Sequence, residues 1–337
     1  PEMARAWYFT AYPQGLPTLD HVALQELPDQ PLADGQVRVR NEYLSVDPYM
    51  RGRMTNLASY VEGFAIGEPM TGGAVGEVIE SKAEGFAVGD KVMHMNGWRD
   101  EAVVDTQPGP GGMGTQKLPP MNVPIQAWLH NLGLTGATAY FGLLKTADAK
   151  PGDIVFVSAA AGAVGSAVVQ IAKKKGMTVI GSAGGPDKCA WVRELGADAC
   201  IDYKAGPVLP QLAAAAPDGI DVYFDNVGGD HLDAAFAVAR NFARFAICGM
   251  IDRYNDAEGG VEFKYLIRTI PARIRMQGFI FTDYAEHMME FLGEMGPWVM
   301  NGDIKMRETV HQGIGSAFDA FLGLFSGGNT GKMLVKL

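Results

Sequence analysis

Cysteine is nearly absent. Cys189, Cys200 and Cys248, in a chain of 337 residues, are odd in number and widely spaced, which leaves no disulfide framework and suits the reducing cytoplasm. Each is expected to serve as a small buried hydrophobe. Histidine is sparse too: His21 and His94 stand alone in the first 123 residues, and His130 and His231 have no neighbour at ligand spacing. A catalytic zinc needs about three Cys, His or Glu ligands, so no metal is expected. Positive charge is in deficit, 28 Lys and Arg against 38 Asp and Glu, for a net charge of −10. That balance argues against nucleic acid or an anionic membrane surface as a partner. No run approaches the roughly 20 apolar residues of a membrane-spanning helix, and the first residues show no basic-then-apolar signal pattern. No internal repeat or Gly-x-Ser-x-Gly elbow occurs, so hydrolase chemistry has no support.

What is present is organised around residues 154–188. The run IVFVSA (154–159) is apolar and β-branched, as a buried parallel strand requires. AAGAVGS follows, then an apolar-periodic segment over 163–175 closed by Gly176, and a second buried strand from Thr178. Strand, glycine-rich turn, helix and strand are the first half of a dinucleotide-binding unit. Ala160 stands where the first glycine is usual. Gly162 lets backbone approach a pyrophosphate, and Gly165 lets helix and strand pack closely. The helix N-terminus offers unpaired N–H groups to phosphate. NAD binders carry an acidic residue roughly 20 residues beyond the glycines. Here Gly181, Ser182 and Ala183 hold that place, and Lys188 follows. Without the carboxylate a 2′-phosphate meets no repulsion, and Lys188 supplies a counter-charge; the plainer reading of Lys188 is a solvated cation. NADP is the expected cofactor.

At 47% apolar and 20% charged, the chain has ample material for a core, and its length allows two domains. Residues 1–123 read as a mostly-β unit of short strands (4–12, 37–44, 71–81 and 91–95), a small barrel in outline. A Pro-rich stretch over 13–31 reads as turns and extended chain, and VDPYMRGRM (46–54) as irregular. A glycine-rich loop runs from Gly109 to Gly114. From 124 the pattern becomes helix–strand alternation, with a helix over 131–146 and strands at 199–202, 220–226, 245–248 and 275–281. Six strands with intervening helices form a doubly wound parallel sheet. A Met-rich helix over 285–300 reads as core packing, and 332–337 as a strand that rejoins the first unit. The resulting division is 1–123 with 300–337, and 124–299. Ligands in such sheets lie beyond the carboxyl ends of the strands, which brings together 161–165, 226–229, 248–254 and 279–281. Asn226 and Tyr254 are the candidates there, each weighed against a turn residue that satisfies its own backbone.

Taken in order, VDPYMRGRM, GATAYFGL, AAAGAVGS, YFDNVGG, AICGMIDRYN and GGNTGKMLVKL resemble the medium-chain dehydrogenase/reductase superfamily over nearly the whole chain. Within it they are similar to the zinc-independent branch of leukotriene B4 dehydrogenase, prostaglandin reductases and alkenal double-bond reductases. The resemblance implies a GroES-like β domain split by an inserted Rossmann domain. It implies pyrophosphate contacts at Ala161, Gly162, Ala163, Val164 and Gly165, and 2′-phosphate contacts at Lys188 and Tyr203. Further cofactor contacts are implied at Asn226, Cys248, Gly249, Tyr254, Phe279, Ile280, Phe281 and Asn329. Tyr49 and Tyr254 match tyrosines that face the nicotinamide and the substrate carbonyl. The expected activity is NADPH-dependent, metal-independent reduction of the C=C bond of α,β-unsaturated carbonyls, in a homodimer. A quinone reductase, or an NADPH-binding protein without chemistry, are the alternatives. Ala243 stands where a glycine is more usual, and this departure bears on substrate size.

Overall fold

A computed structural model describes residues 3–109, 114–256 and 259–337. Residues 110–113 of the glycine-rich loop lie outside the described residues. The chain divides into two units, one drawn from Pro1–Leu129, Glu308–Asn329 and Met333–Leu337, the other from His130–Arg307 and Thr330–Lys332.

The first unit starts with β1 (Arg5–Phe9), β2 (Val22–Glu26), β3 (Gln36–Ser45), β4 (Ala74–Ser81), β5 (Lys91–His94), β6 (Glu101–Asp105) and β7 (Gln116–Lys117). β2 falls inside the stretch read as turns, because antiparallel pairing from Arg5↔Glu26 to Phe9↔Val22 makes a strand of an extended segment. VDPYMRGRM holds a short 3-10 helix, Pro48–Arg53, whose first turn suits a proline.

The second unit begins with α1 (Leu134–Phe141), which continues as a π-helical turn over Gly142–Thr146. Then come β8 (Ile154–Val157), α2 (Ala163–Lys174), β9 (Thr178–Ala183), α3 (Pro186–Glu194), β10 (Ala199–Asp202), α4 (Val208–Ala215), β11 (Ile220–Asp225), α5 (Gly229–Val238), β12 (Ala239–Ile247), α6 (Thr269–Ala272), β13 (Arg275–Gly278) and α7 (Met288–Met300). Its 6-stranded parallel sheet runs β10-β9-β8-β11-β12-β13, the doubly wound order of a Rossmann fold. The aromatic centre is Phe156 against Tyr223 at 5.2 Å and Tyr223 against Phe245 at 5.5 Å, all buried. Burying one such side chain contributes about 1.5–3 kcal/mol.

Several boundaries differ from the sequence reading, three of them in the last part of the second unit. The strand expected at 245–248 begins at Ala239, with polar Arg240 and Asn241 exposed on it and Phe242 at φ +64. Its pairing with β11 shifts register between Ile220 and Val222, an irregularity that no local pattern announces. The strand expected to reach 281 ends at Gly278, because Phe281–His287 winds into a 3-10 helix. That helix also displaces the start of α7 from 285 to Met288, and of its methionines only Met295 is fully buried, while Met289 is 79% exposed. Cys189 and Cys200, distant in sequence, both point their thiols at the Ile201 carbonyl, at 3.5 and 3.8 Å; only Cys189 is fully buried.

The chain ends with β14 (Glu308–Gln312), α8 (Ala317–Gly323) and β15 (Lys332–Lys336). β15 rejoins the first unit by pairing antiparallel to β3, Leu334 opposite Ser45. The 7-stranded sheet runs β14-β15-β3-β4-β5-β7, with β6 also on β3. Among the described residues no pairing joins its two ends; the short-stranded β unit expected from the sequence is a branched path of strands. Trp7, Phe9, Met50, Trp98, Phe318 and Phe321 fill the core beneath it. No helix of the described residues is long and apolar enough to cross a membrane.

Candidate active site

The glycine-rich turn follows β8. Ala159 takes φ +47, and Gly162 N–H donates back to its carbonyl at 3.0 Å. Gly162 is the N-cap of α2 in extended conformation, with no side-chain cap. The first-turn amides of Ala163, Val164 and Gly165 therefore have no capping side chain, which is the arrangement that receives phosphate. The two glycines differ in what they permit. A Cβ at Gly165 would lie 2.1 Å from Ala159 O, so helix and strand pack as closely as expected. A Cβ at Gly162 would meet only Ala159 O, at 3.2 Å; the space beyond it is open to a ligand.

At the end of β9, Ser182 Oγ bonds the buried His231 Nε2 at 2.8 Å. Burial pulls this imidazole down to about 4, so it is neutral. No carboxylate occupies the position that selects NAD. Gly184 comes next, and a Cβ there would lie 2.6 Å from Tyr203 Oη and 3.0 Å from Lys204 Cε. Asp202 Oδ1 holds this corner by accepting Gly185 N at 2.9 Å and Lys204 N at 3.0 Å. Lys188, half-buried on α3, has its pKa lowered by burial and then by the charge of Lys204. Two ammonium groups in electrostatic contact, beside a phenol, are chemically suited to a dianion. Lys204 was not singled out from the sequence; its one signal was adjacency to Tyr203.

Beyond β11, β12 and β13 the expected segments do converge. Asp225 is fully buried, and its Oδ1 accepts Tyr223 Oη at 2.6 Å, Ser158 Oγ at 3.2 Å, Val227 N at 2.9 Å and Gly228 N at 2.8 Å. Burial raises its pKa against those donors. Ser158 in turn accepts Asn226 N at 2.9 Å, and its carbonyl accepts Asn226 Nδ2 at 2.9 Å. Asn226 thus ties the end of β11 to the end of β8, and its amide is spent on backbone. Cys248 N and Gly249 N both donate to Asp225 O at 3.0 Å, and burial pushes the Cys248 thiol up to about 12. Tyr254 Oη accepts Met250 N at 3.3 Å and lies over Gly249, where a Cβ would be 2.6 Å from it. Phe279 N donates to Ile247 O at 3.3 Å and its ring meets Phe224 edge-on at 6.0 Å; Ile280 and Phe281 follow half-buried. Ser158 and Asp225 organise these strand ends; both lie within segments quoted above, IVFVSA and YFDNVGG, but neither was singled out, because only the packing of β8 beside β11 brings them together.

Tyr49 belongs to the first unit, half-buried on Pro48–Arg53. Its phenol is hydrogen-bonded to Arg53, and burial, followed by Asp47, raises its pKa, so it stays protonated. Arg53 donates to Glu62 O at 2.7 Å, Thr71 O at 3.2 Å and Thr71 Oγ1 at 2.8 Å, with its guanidinium over Phe64 at 4.2 Å. Asn329 ends the stretch grouped with the first unit, immediately before Thr330–Lys332. Among the described residues no three His, Cys, Asp or Glu side chains gather as metal ligands would.

Comparison with known proteins bears on the family of the chain. Residues 5–109 match a family described as the N-terminal domain of oxidoreductase, and residues 163–294 one described as zinc-binding dehydrogenase. The chain is 40% identical to the NADPH-dependent curcumin reductase of Escherichia coli over 99% of its own length and 96% of that protein. It is 41% identical to the NADP-dependent 2-alkenal reductase of Nicotiana tabacum over 90% of this chain and 88% of that one. The crystal structure of CurA from Vibrio vulnificus in complex with NADPH superposes with a TM-score of 0.90, at 41% identity and 98% coverage of both chains.

Proposed function

The chain belongs to the zinc-independent branch of the medium-chain dehydrogenase/reductase superfamily, and on that premise we propose that it is an NADPH-dependent reductase of the C=C bond of α,β-unsaturated carbonyls, 2-alkenals and enones. The observation that carries the cofactor is the end of β9, where Ser182 and Ala183 stand in place of a carboxylate, Tyr203 and Lys204 lie against Gly184, and Lys188 is within electrostatic reach of Lys204. These three residues hold the 2′-phosphate. The open face of Gly162 and the first-turn amides of α2 hold the pyrophosphate, and the loops of Asn226, Cys248, Gly249 and Phe279–Phe281 line the way beyond it, with Asn329 as a further contact. Relatives named for NADPH-dependent reduction support this reading.

NADPH, when bound, supplies a hydride. The residues of the chain then have one task, to stabilise negative charge that develops on the substrate carbonyl oxygen as its β-carbon is reduced. Zinc-dependent enzymes meet that need with a Lewis acid; here phenol hydroxyls are assigned to it. An arginine can only donate, so Tyr49 Oη accepts from Arg53 and directs its own proton elsewhere. Tyr254 Oη accepts Met250 N–H, and its phenol is the second hydroxyl assigned to the carbonyl oxygen. Neither phenol needs to ionise. The α-carbon takes its proton from solvent. A homodimer joined along the β13 edge, in the cytoplasm, completes the reading.

The test is NADPH consumption with an enone, a 2-alkenal, a quinone and a saturated ketone. Oxidation with the first two, giving a product saturated at C=C, is expected. Turnover with the quinone alone would make the protein a quinone reductase, and tight NADPH binding without turnover of any substrate would make it a binding protein.

A further inference from the structure

The glycine-rich turn is held by a residue from the far end of the chain. Gly331 N–H donates to Ala161 O at 2.6 Å, and Gly162 and Gly331 pair as a parallel bridge. The peptide unit between Ala161 and Gly162 is thus bonded at both ends: its carbonyl accepts from Gly331, and its N–H donates to Ala159 O at 3.0 Å. A rotation of that plane would break both bonds. Because α2 has no side-chain cap, this plane sets the direction in which the chain enters the helix, and with it the aim of the Ala163 and Val164 amides.

Only glycine fits at the far partner. Gly331 has φ +71, and a Cβ would lie 1.9 Å from Arg307 O and 2.7 Å from Arg307 C. That carbonyl cannot retreat freely, since it also accepts Lys332 N at 2.9 Å and His130 Nε2 at 3.1 Å. Meanwhile the pairing of β8 with β9 and β11 does not involve residues 330–332.

We propose that Gly331 is a positioning residue for the dinucleotide pyrophosphate, acting through Ala161 O to hold the turn in its phosphate-receiving form. The proposal rests on the NADPH reading above. The experiment compares NADPH with adenosine 2′-monophosphate, which carries the 2′-phosphate corner and lacks the pyrophosphate. In full-length Gly331→Ala, NADPH affinity is expected to fall about tenfold or more, as loss of one hydrogen bond to a charged group does. Affinity for adenosine 2′-monophosphate should stay within about twofold of wild type. In kinetics, KM for NADPH should rise with kcat little changed. Equal NADPH affinity in the two proteins overturns the proposal, as does parallel loss of both nucleotides, which is the signature of a merely structural role. A variant that does not fold shifts the decision to wild-type amide exchange. There NADPH should slow exchange at Gly331 and adenosine 2′-monophosphate should not; no change with NADPH bound overturns the proposal. Wild-type protein that binds neither nucleotide overturns the NADPH reading and the proposal with it, whereas NADPH binding unaffected by the substitution overturns the proposal alone.

Discussion

His231 Nε2 and Ser182 Oγ meet at 2.8 Å beneath the end of β9, where selection of NAD would require a carboxylate. The pair is buried, and burial holds His231 near about 4 instead of 6.5; it holds His130 near about 4 and His94 near about 3. In the unfolded chain these imidazoles protonate near 6.5, while in the folded state they do not until much lower. Stability is therefore fully present above pH 6.5 and is lost as pH falls towards about 4, by roughly 1.4 kcal/mol per unit of displacement for each histidine. Urea unfolding midpoints should drop between pH 7 and pH 5 (about the middle of this window). His231→Gln should lower the pH slope by about one proton, and an unchanged slope would count against a neutral, buried His231.

Lys188 and Lys204 should act together on one phosphate. Each charge-assisted contact contributes roughly 1.5–3 kcal/mol, so Lys188→Ala is expected to weaken NADPH about 10- to 150-fold and NADH hardly at all. Lys204→Ala should show the same selectivity with a smaller effect, being the more exposed. Fluorescence titration with both cofactors reads this directly. Equal losses for NADPH and NADH would mean that the lysines support structure rather than the 2′-phosphate.

Gly162 and Gly165 should separate binding from folding. Gly165→Ala drives a Cβ to 2.1 Å from a backbone oxygen, so melting should show a loss of about 1–3 kcal/mol or more. Gly162→Ala meets one contact at 3.2 Å and should cost well under about 1 kcal/mol, yet weaken NADPH about tenfold by blocking backbone approach to the pyrophosphate. Calorimetry on both variants decides it; a Gly162→Ala protein that binds NADPH normally would show that no phosphate lies against that face.

The two tyrosines should affect rate more than binding. Tyr254→Phe and Tyr49→Phe are each expected to lower kcat with an enone by about 10²-fold, the lower end for loss of an oxyanion donor. Arg53→Lys should reproduce part of the Tyr49 loss, since an ammonium cannot copy the bidentate geometry that holds Thr71 and the phenol. Chelator treatment should leave wild-type activity intact. Two unaffected Phe variants would remove the tyrosines from the chemistry, and zinc-restorable loss on chelation would replace them with a metal.

The β13 edge should carry the dimer. All four residues of Arg275–Gly278 are exposed, with Met276 at 51% and neighbouring Ile270 at 72%, an open edge that natural proteins cover. Phe279 N–H points to β12, so by alternation the Met276 N–H points outward. Met276→Pro should abolish outward pairing and spare the sheet. Light scattering is expected to give a dimer for wild type and a monomer for the variant; a wild-type monomer at micromolar concentration would dispose of the idea.

Much of this protein could be read from local pattern. The β8–α2–β9 unit is encoded within one continuous stretch by a buried run, a glycine turn and helical periodicity, and the close packing at Gly165 and the open face at Gly162 follow from backbone sterics. The missing carboxylate after Thr178–Ala183 is likewise a fact of sequence. Other features depend on partners that composition does not specify. β2 is a strand because β1 pairs with it, and Asn226 is oriented because Ser158 and Asp225 meet beneath it. Lys204 joins Lys188 because β10 ends beside the start of α3. Nothing local to the glycine at 331 shows that the Arg307 carbonyl lies where its side chain would be. Propensity and periodicity act over a few residues, so they decide which segments become helix or strand. Which carbonyl a given N–H reaches, and which position has no room for a Cβ, is decided only when segments distant in sequence pack together.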